Sequence, residues 1–190
     1  LGSHPFSGLP SGENSLKKGE FWQERFSFGF PTQQSADWTW IQHMLASTKE
    51  KVAVVIDTGA VSRGGREKGI RQKILEKDLI ETVILLPEKL FYNTGAPGLI
   101  IVFNKNKPSE RKNKILLINA TKEFVSGKPQ NTLGKENIKK IVNVYREFKE
   151  IEGLSKIISL EDAAKADYNL SPSRFVSIIE KEEYKPIKEI

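Results

Sequence analysis

An α/β fold is expected, and three features of residues 52–104 carry that expectation. Val52-Ala-Val-Val-Ile56 is a short apolar run rich in β-branched residues, the pattern of a strand buried on both faces. Asp57-Thr-Gly-Ala-Val-Ser-Arg-Gly-Gly65 interrupts it, and Ile70, Ile74 and Leu75 then recur at helical spacing through residues 66–79. Thr82-Val-Ile-Leu-Leu86 is a second buried-type run, stopped by Pro87. Strand, crossover helix, strand is the unit that builds parallel sheets.

The remaining elements follow in chain order. Residues 7–34 are rich in Gly, Ser, Pro and Gln, interrupted by Phe21, Trp22, Phe26, Phe28 and Phe30. These aromatics either anchor a long loop to the core or face a nucleic acid. Ser35 or Asp37 can cap a helix to about Ser47, with Trp38, Ile41, Met44 and Leu45 on one face and His43 an ordinary helix residue. Gly95 and Pro97 suit a tight reversal before Leu99-Ile-Ile-Val-Phe103, which is expected to pair antiparallel at the sheet edge. Residues 104–114 form a basic loop, either simply solvated or touching phosphate. Residues 115–118 are a further strand, and 135–148 an amphipathic helix with Ile138, Ile141, Val142 and Tyr145 inward. A short helix over 160–164 precedes a mostly charged tail. Three segments result: a long loop at 1–34, an α/β unit at 35–126 and a helical extension at 127–190.

Composition narrows the classes. With 190 residues, 38% hydrophobic and 28% charged, the chain is an ordinary globular protein large enough for one full core. No apolar run approaches the roughly 18 residues of a membrane span, so no membrane partner is expected. The absence of cysteine excludes disulfides and thiolate metal sites and suits a cytoplasmic chain. His4 and His43 lie too far apart in sequence for a metal-ligand pattern, so no metal is expected. A net charge of +6 is compatible with an anionic partner.

Phe91-Tyr-Asn-Thr-Gly-Ala-Pro-Gly-Leu-Ile-Ile-Val-Phe-Asn-Lys105, preceded by Ile84-Leu-Leu-Pro87, resembles the modification subunit of type I restriction-modification systems. The resemblance extends through Asp37-Trp38, residues 41–45, Ser62-Arg-Gly-Gly65, Ile70-Arg71, Ile118-Asn-Ala120, residues 138–145 and Asp167-Tyr-Asn-Leu-Ser-Pro-Ser-Arg-Phe175. Several separated blocks in the right order are far more specific than one motif. The family implies a Rossmann-like, S-adenosylmethionine-dependent adenine-N6 DNA methyltransferase. This chain would be the second half of its mixed sheet, with an antiparallel edge strand.

Several site assignments follow from that resemblance. The family's Asn-Pro-Pro-Phe motif, which orients the adenine amino group and stacks on the flipped base, falls on Ser3, His4, Pro5 and Phe6. Only Pro5 and Phe6 match. The opening Leu1-Gly-Ser-His4 resembles the remnant of a cleaved tag, and a natural degenerate motif is the other reading. The donor-binding glycine loop and ribose acid are expected upstream of Leu1, so no S-adenosylmethionine should bind this chain alone, although the complete enzyme requires it. Candidate DNA ligands are Arg63 and Arg66 in the glycine-rich turn and Lys105, Lys107 and Arg111 in the basic loop. Asp57 has no identifiable partner for general-base work. Expected partners are DNA, a specificity subunit and a restriction subunit. The alternative is a non-catalytic DNA- or subunit-binding module derived from the family. More distant is a flavodoxin-like domain with parallel strands and a nucleotide at the 57–65 turn.

Overall fold

The computed structural model describes residues 22–30, 35–92 and 94–177. Five strands form one mixed sheet in the order β1-β3-β2-β4-β5. They are β1 (Lys51–Asp57), β2 (Ile80–Leu85), β3 (Gly98–Asn104), β4 (Lys114–Asn119) and β5 (Ser155–Ser159). The helices are α1 (Trp22–Arg25), α2 (Asp37–Ser47), α3 (Gly65–Glu76), α4 (Lys135–Glu147), α5 (Leu160–Lys165) and α6 (Pro172–Phe175).

The topology follows from the order of crossover and hairpin. β1, α3 and β2 are the expected strand-helix-strand unit, but its two strands leave a gap one strand wide. After Pro87 the chain reverses, and β3 enters that gap, antiparallel to both neighbours (Asp57 opposite Gly98, Leu85 opposite Leu99). β4 returns parallel to β2, and β5 closes the far side antiparallel to β4.

Two lateral expectations are corrected here. The 99–103 strand is antiparallel as expected but interior, because a hairpin return from β2 finds an open ladder on both sides. Conversely, the 52–56 run is not buried on both faces. Val52 and Val54 are partly exposed and Val55 is 50% exposed, because β1 is the outermost described strand on its side. The parallel order required by a flavodoxin-like domain does not occur among the described residues.

Alternating side chains along the strands build two cores. Val83, Leu85, Ile115 and Leu117 face α2 and α3, where Trp38, Ile41, Ile70, Ile74 and Leu75 are buried. Ile84, Leu116 and Ile118 face α4, whose Ile141 and Val144 cover them. Ile138, expected inward on α4, is 47% exposed. Val142 is partly exposed. β5 lies within the segment expected as a helical extension; it shares the sheet and contributes Ile158 to the core. Phe26 is buried, and Phe28 packs on the α2–α3 side, so these two aromatics anchor their loop.

Candidate nucleic-acid interface

The sheet has two chemically different ends. The register places Asp57, Leu85, Gly98 and Asn119 together at the carboxyl end of the parallel strands, and Lys51, Ile80 and Asn104 at the opposite end. Ligands of open α/β sheets bind beyond the carboxyl ends.

At the carboxyl end of β1 the chain enters a turn over residues 58–61, begun by Asp57, whose side chain accepts from the Gly59 amide. Arg63 lies across this turn. Its guanidinium donates to Glu67 Oε2 at 2.7 Å, Asp57 Oδ2 at 2.9 Å and Ser35 Oγ at 3.1 Å, and pairs with Asp37. Burial opposes its charge, but the bonds to Glu67 and Asp57 outweigh it and hold the guanidinium above its ordinary pKa. A Cβ on Gly59 would run into the Arg63 guanidinium, so glycine is what lets it lie so close. Arg71, buried beneath, donates to the Ala60, Arg63 and Tyr168 carbonyls at 3.1, 3.1 and 2.6 Å. The turn is thus filled by its own charges. Arg66 sits exposed on the first turn of α3.

Between β2 and β3, the Leu86 amide donates to the Gly98 carbonyl at 2.9 Å and the Lys89 amide to that of Gly95 at 3.2 Å. Phe91 packs over Gly98, where a Cβ would meet the ring at 2.7 Å. Tyr92, beside it, is 81% exposed. A cleft of ≈ 840 Å³ opens here at the ends of β2 and β4, between this loop and residues 121–131.

The basic loop lies at the other end of the sheet, so the expected DNA ligands do not form one patch. Three of its cations are committed inside the chain. Lys107 is buried, donating to Asp78 Oδ1 at 2.6 Å and the Lys114 carbonyl at 3.0 Å. Burial pushes its ammonium pKa down despite Asp78. Arg111 donates to the Arg146 carbonyl at 2.6 Å, approaches Glu81 at 3.4 Å and lies 4.8 Å over the Phe148 ring. The Lys105 ammonium donates to the Thr48 carbonyl at 2.6 Å. For Lys107 and Arg111 the feature that sequence reasoning missed is the pair Asp78, just before β2, and Glu81, within it. Ser3, His4, Pro5 and Phe6 lie outside the described residues. Among the described residues no cluster could hold a metal ion, and no helix is long and apolar enough to cross a membrane.

A mixed sheet with an antiparallel strand between parallel neighbours, flanked by helices on both faces, has the methyltransferase fold. The family model described as N-6 DNA Methylase matches residues 3–184, and the chain belongs to that family. It is 49% identical over 174 residues to the type I restriction enzyme MjaVIII methylase subunit of Methanocaldococcus jannaschii, covering 90% of this chain and 30% of that protein. It is 54% identical over 158 residues to the MjaVII methylase subunit of the same organism, covering 82% and 27%. The crystal structure of the type I restriction-modification methyltransferase subunit from Streptococcus thermophilus superposes with a TM-score of 0.77 at 34% identity, covering 84% of this chain and 34% of that one. The chain therefore spans about a third or less of the length of these relatives.

Proposed function

We propose that this chain supplies the DNA-facing half of an adenine-N6 DNA methyltransferase of a type I restriction-modification system, and that it transfers no methyl group without a donor-binding half. The observation that carries this reading is the outer edge of β1. β3 pairs one side of β1; its other side has no strand among the described residues, and Val55, on one face of β1, is half exposed. An open ladder beside exposed apolar side chains is a surface on which a sheet continues. A donor-binding half added there would complete the fold.

The glycine-rich turn does not fit a methyl donor. The turn after β1 is filled by the Arg63 guanidinium and the carboxylates of Asp57, Asp37 and Glu67. S-adenosylmethionine is accordingly assigned to the complete enzyme. Residues 3–6 retain the position of the target-base motif, and exposed Tyr92 offers a ring against which an unpaired base can stack. A specificity subunit and a restriction subunit are the proposed protein partners, as the relatives' type I names suggest.

The test is transfer of a labelled methyl group from S-adenosylmethionine to DNA. The chain alone should give none; co-expression with a donor-binding half and a specificity subunit should restore it. Methylation by the chain alone would overturn the half-domain reading, and a complex that forms but stays inactive would favour a non-catalytic binding module.

A further inference from the structure

We infer that the cleft at the carboxyl ends of β2 and β4 is a groove for the phosphodiester backbone of DNA, with Lys89, Lys122 and Lys128 as its cationic ligands. The inference rests on the reading that this half of the fold faces DNA, and it moves the phosphate-binding role away from the basic loop.

The groove is built rather than incidental. Asn131 fastens its two walls: its amide donates to the Lys89 carbonyl at 2.9 Å, and its Nδ2 to the Glu88 carbonyl at 3.0 Å. Its Oδ1 accepts from the Gly127 amide at 3.4 Å. Val125 and Thr132 pair as an antiparallel bridge that closes the far wall. Gly127 is required by this closure, because a Cβ there would strike the Gln130 carbonyl. Leu85, Pro97 and Phe124 supply the apolar part of the lining.

Its positive charge is in excess. Lys89, Lys122 and Lys128 all line the cleft and are exposed, and Glu88 is the one acid in the lining. Among the described residues none of the three lysines meets a carboxylate within ion-pair distance. Arg63, Lys107, Arg111 and Lys140 do. A cation with an internal partner has little to gain from a phosphate; three cations without one in a single groove attract an extended polyanion. The groove also opens at the end of the sheet that carries Tyr92, so a backbone held by the lysines passes the one strongly exposed aromatic among the described residues at that end.

The experiment measures binding of the 190-residue chain to a fluorescein-labelled DNA duplex by anisotropy, over potassium chloride from roughly 50 to 200 mM. The triple variant Lys89→Gln, Lys122→Gln, Lys128→Gln should flatten the dependence of log K on log salt by about 0.9 for each phosphate no longer neutralised, close to three in all. Lys105→Gln with Lys112→Gln, at the opposite end of the sheet, should leave the slope as in the parent chain. Inorganic pyrophosphate at matched ionic strength should not displace the duplex. An unchanged slope in the triple variant, an equal flattening in the control pair, displacement by pyrophosphate, or no binding at the lowest salt would each overturn the groove. The methyl-transfer reconstitution would still report on the half-domain reading, so the two failures are distinguishable.

Discussion

Arg63 shows how a residue that looks available in sequence is committed in the fold. Following a strand in a glycine-rich turn, it has the setting of a phosphate ligand, yet its guanidinium serves Asp37, Asp57 and Glu67 at once. Glu67 and Asp37 are almost fully buried, whereas Arg63 keeps about a third of its side chain in water. Removing it takes the cation from two buried carboxylates, of which Asp37 keeps its hydrogen bond from Ser35, a case between exposed pairs worth roughly 0–1 kcal/mol and buried ones costing roughly 3–5 when broken. Arg63→Ala should therefore lower stability by about 2 kcal/mol in urea denaturation. Stability like that of the parent chain would show that the cluster holds nothing together.

At the scale of the element, β1 and β3 exchange the roles their composition suggests. Both are apolar and β-branched, but among the described residues β3 is paired on both sides and β1 on one. An unpaired ladder edge with exposed valines is also a template for self-association. Val55 is half exposed and loses little on substitution, so Val55→Lys should leave the melting temperature near that of the parent chain while reducing association in analytical ultracentrifugation. If Val55→Lys associates as readily as the parent chain, the outer edge of β1 is not the exposed surface in solution.

Over the whole molecule, one buried acid ties together parts far apart in sequence. Glu81 on β2 accepts from Asn104 of β3 at 2.9 Å and from the Tyr145 hydroxyl of α4 at 2.9 Å, with Lys51 of β1 and Arg111 each 3.4 Å away. Burial alone would raise its pKa, but the bonds from Asn104 and Tyr145 and the charges of Lys51 and Arg111 hold it below the ordinary carboxylate value. A depressed carboxyl pKa means that the unfolded chain takes up the proton first. The stabilisation is present above the unfolded value of about 4.3 and is lost as pH falls through the lower folded value. Glu81→Gln should be less stable than the parent chain by about 1–3 kcal/mol at neutral pH, with the gap narrowing as the solution is acidified below about pH 4. A gap that stays constant in denaturant melts at neutral and acid pH would show that Glu81 is not held ionised by this network.

The local elements and the family were legible in the sequence because each depends on near neighbours. Trp38, Ile41 and Leu45 mark α2 by their spacing; Pro87, Gly95 and Pro97 mark the reversal that makes β3 antiparallel; and the blocks from Asp37 to Phe175 carry the resemblance. Lateral order was not legible. An apolar run states that a strand can be buried, not which strands flank it, so β1 and β3 could not be sorted into edge and interior. β5 was missed because Ser155-Lys-Ile-Ile-Ser159 is short and half polar, and its pairing with β4 only appears once the sheet is assembled. The tertiary structure likewise decided where the cations point. Lys107 and Arg111 read as a basic loop, but Asp78 and Glu81, some thirty residues earlier, draw them inward. Buried Glu81 needs a cationic partner, and Lys107, itself buried, needs the carboxylate of Asp78.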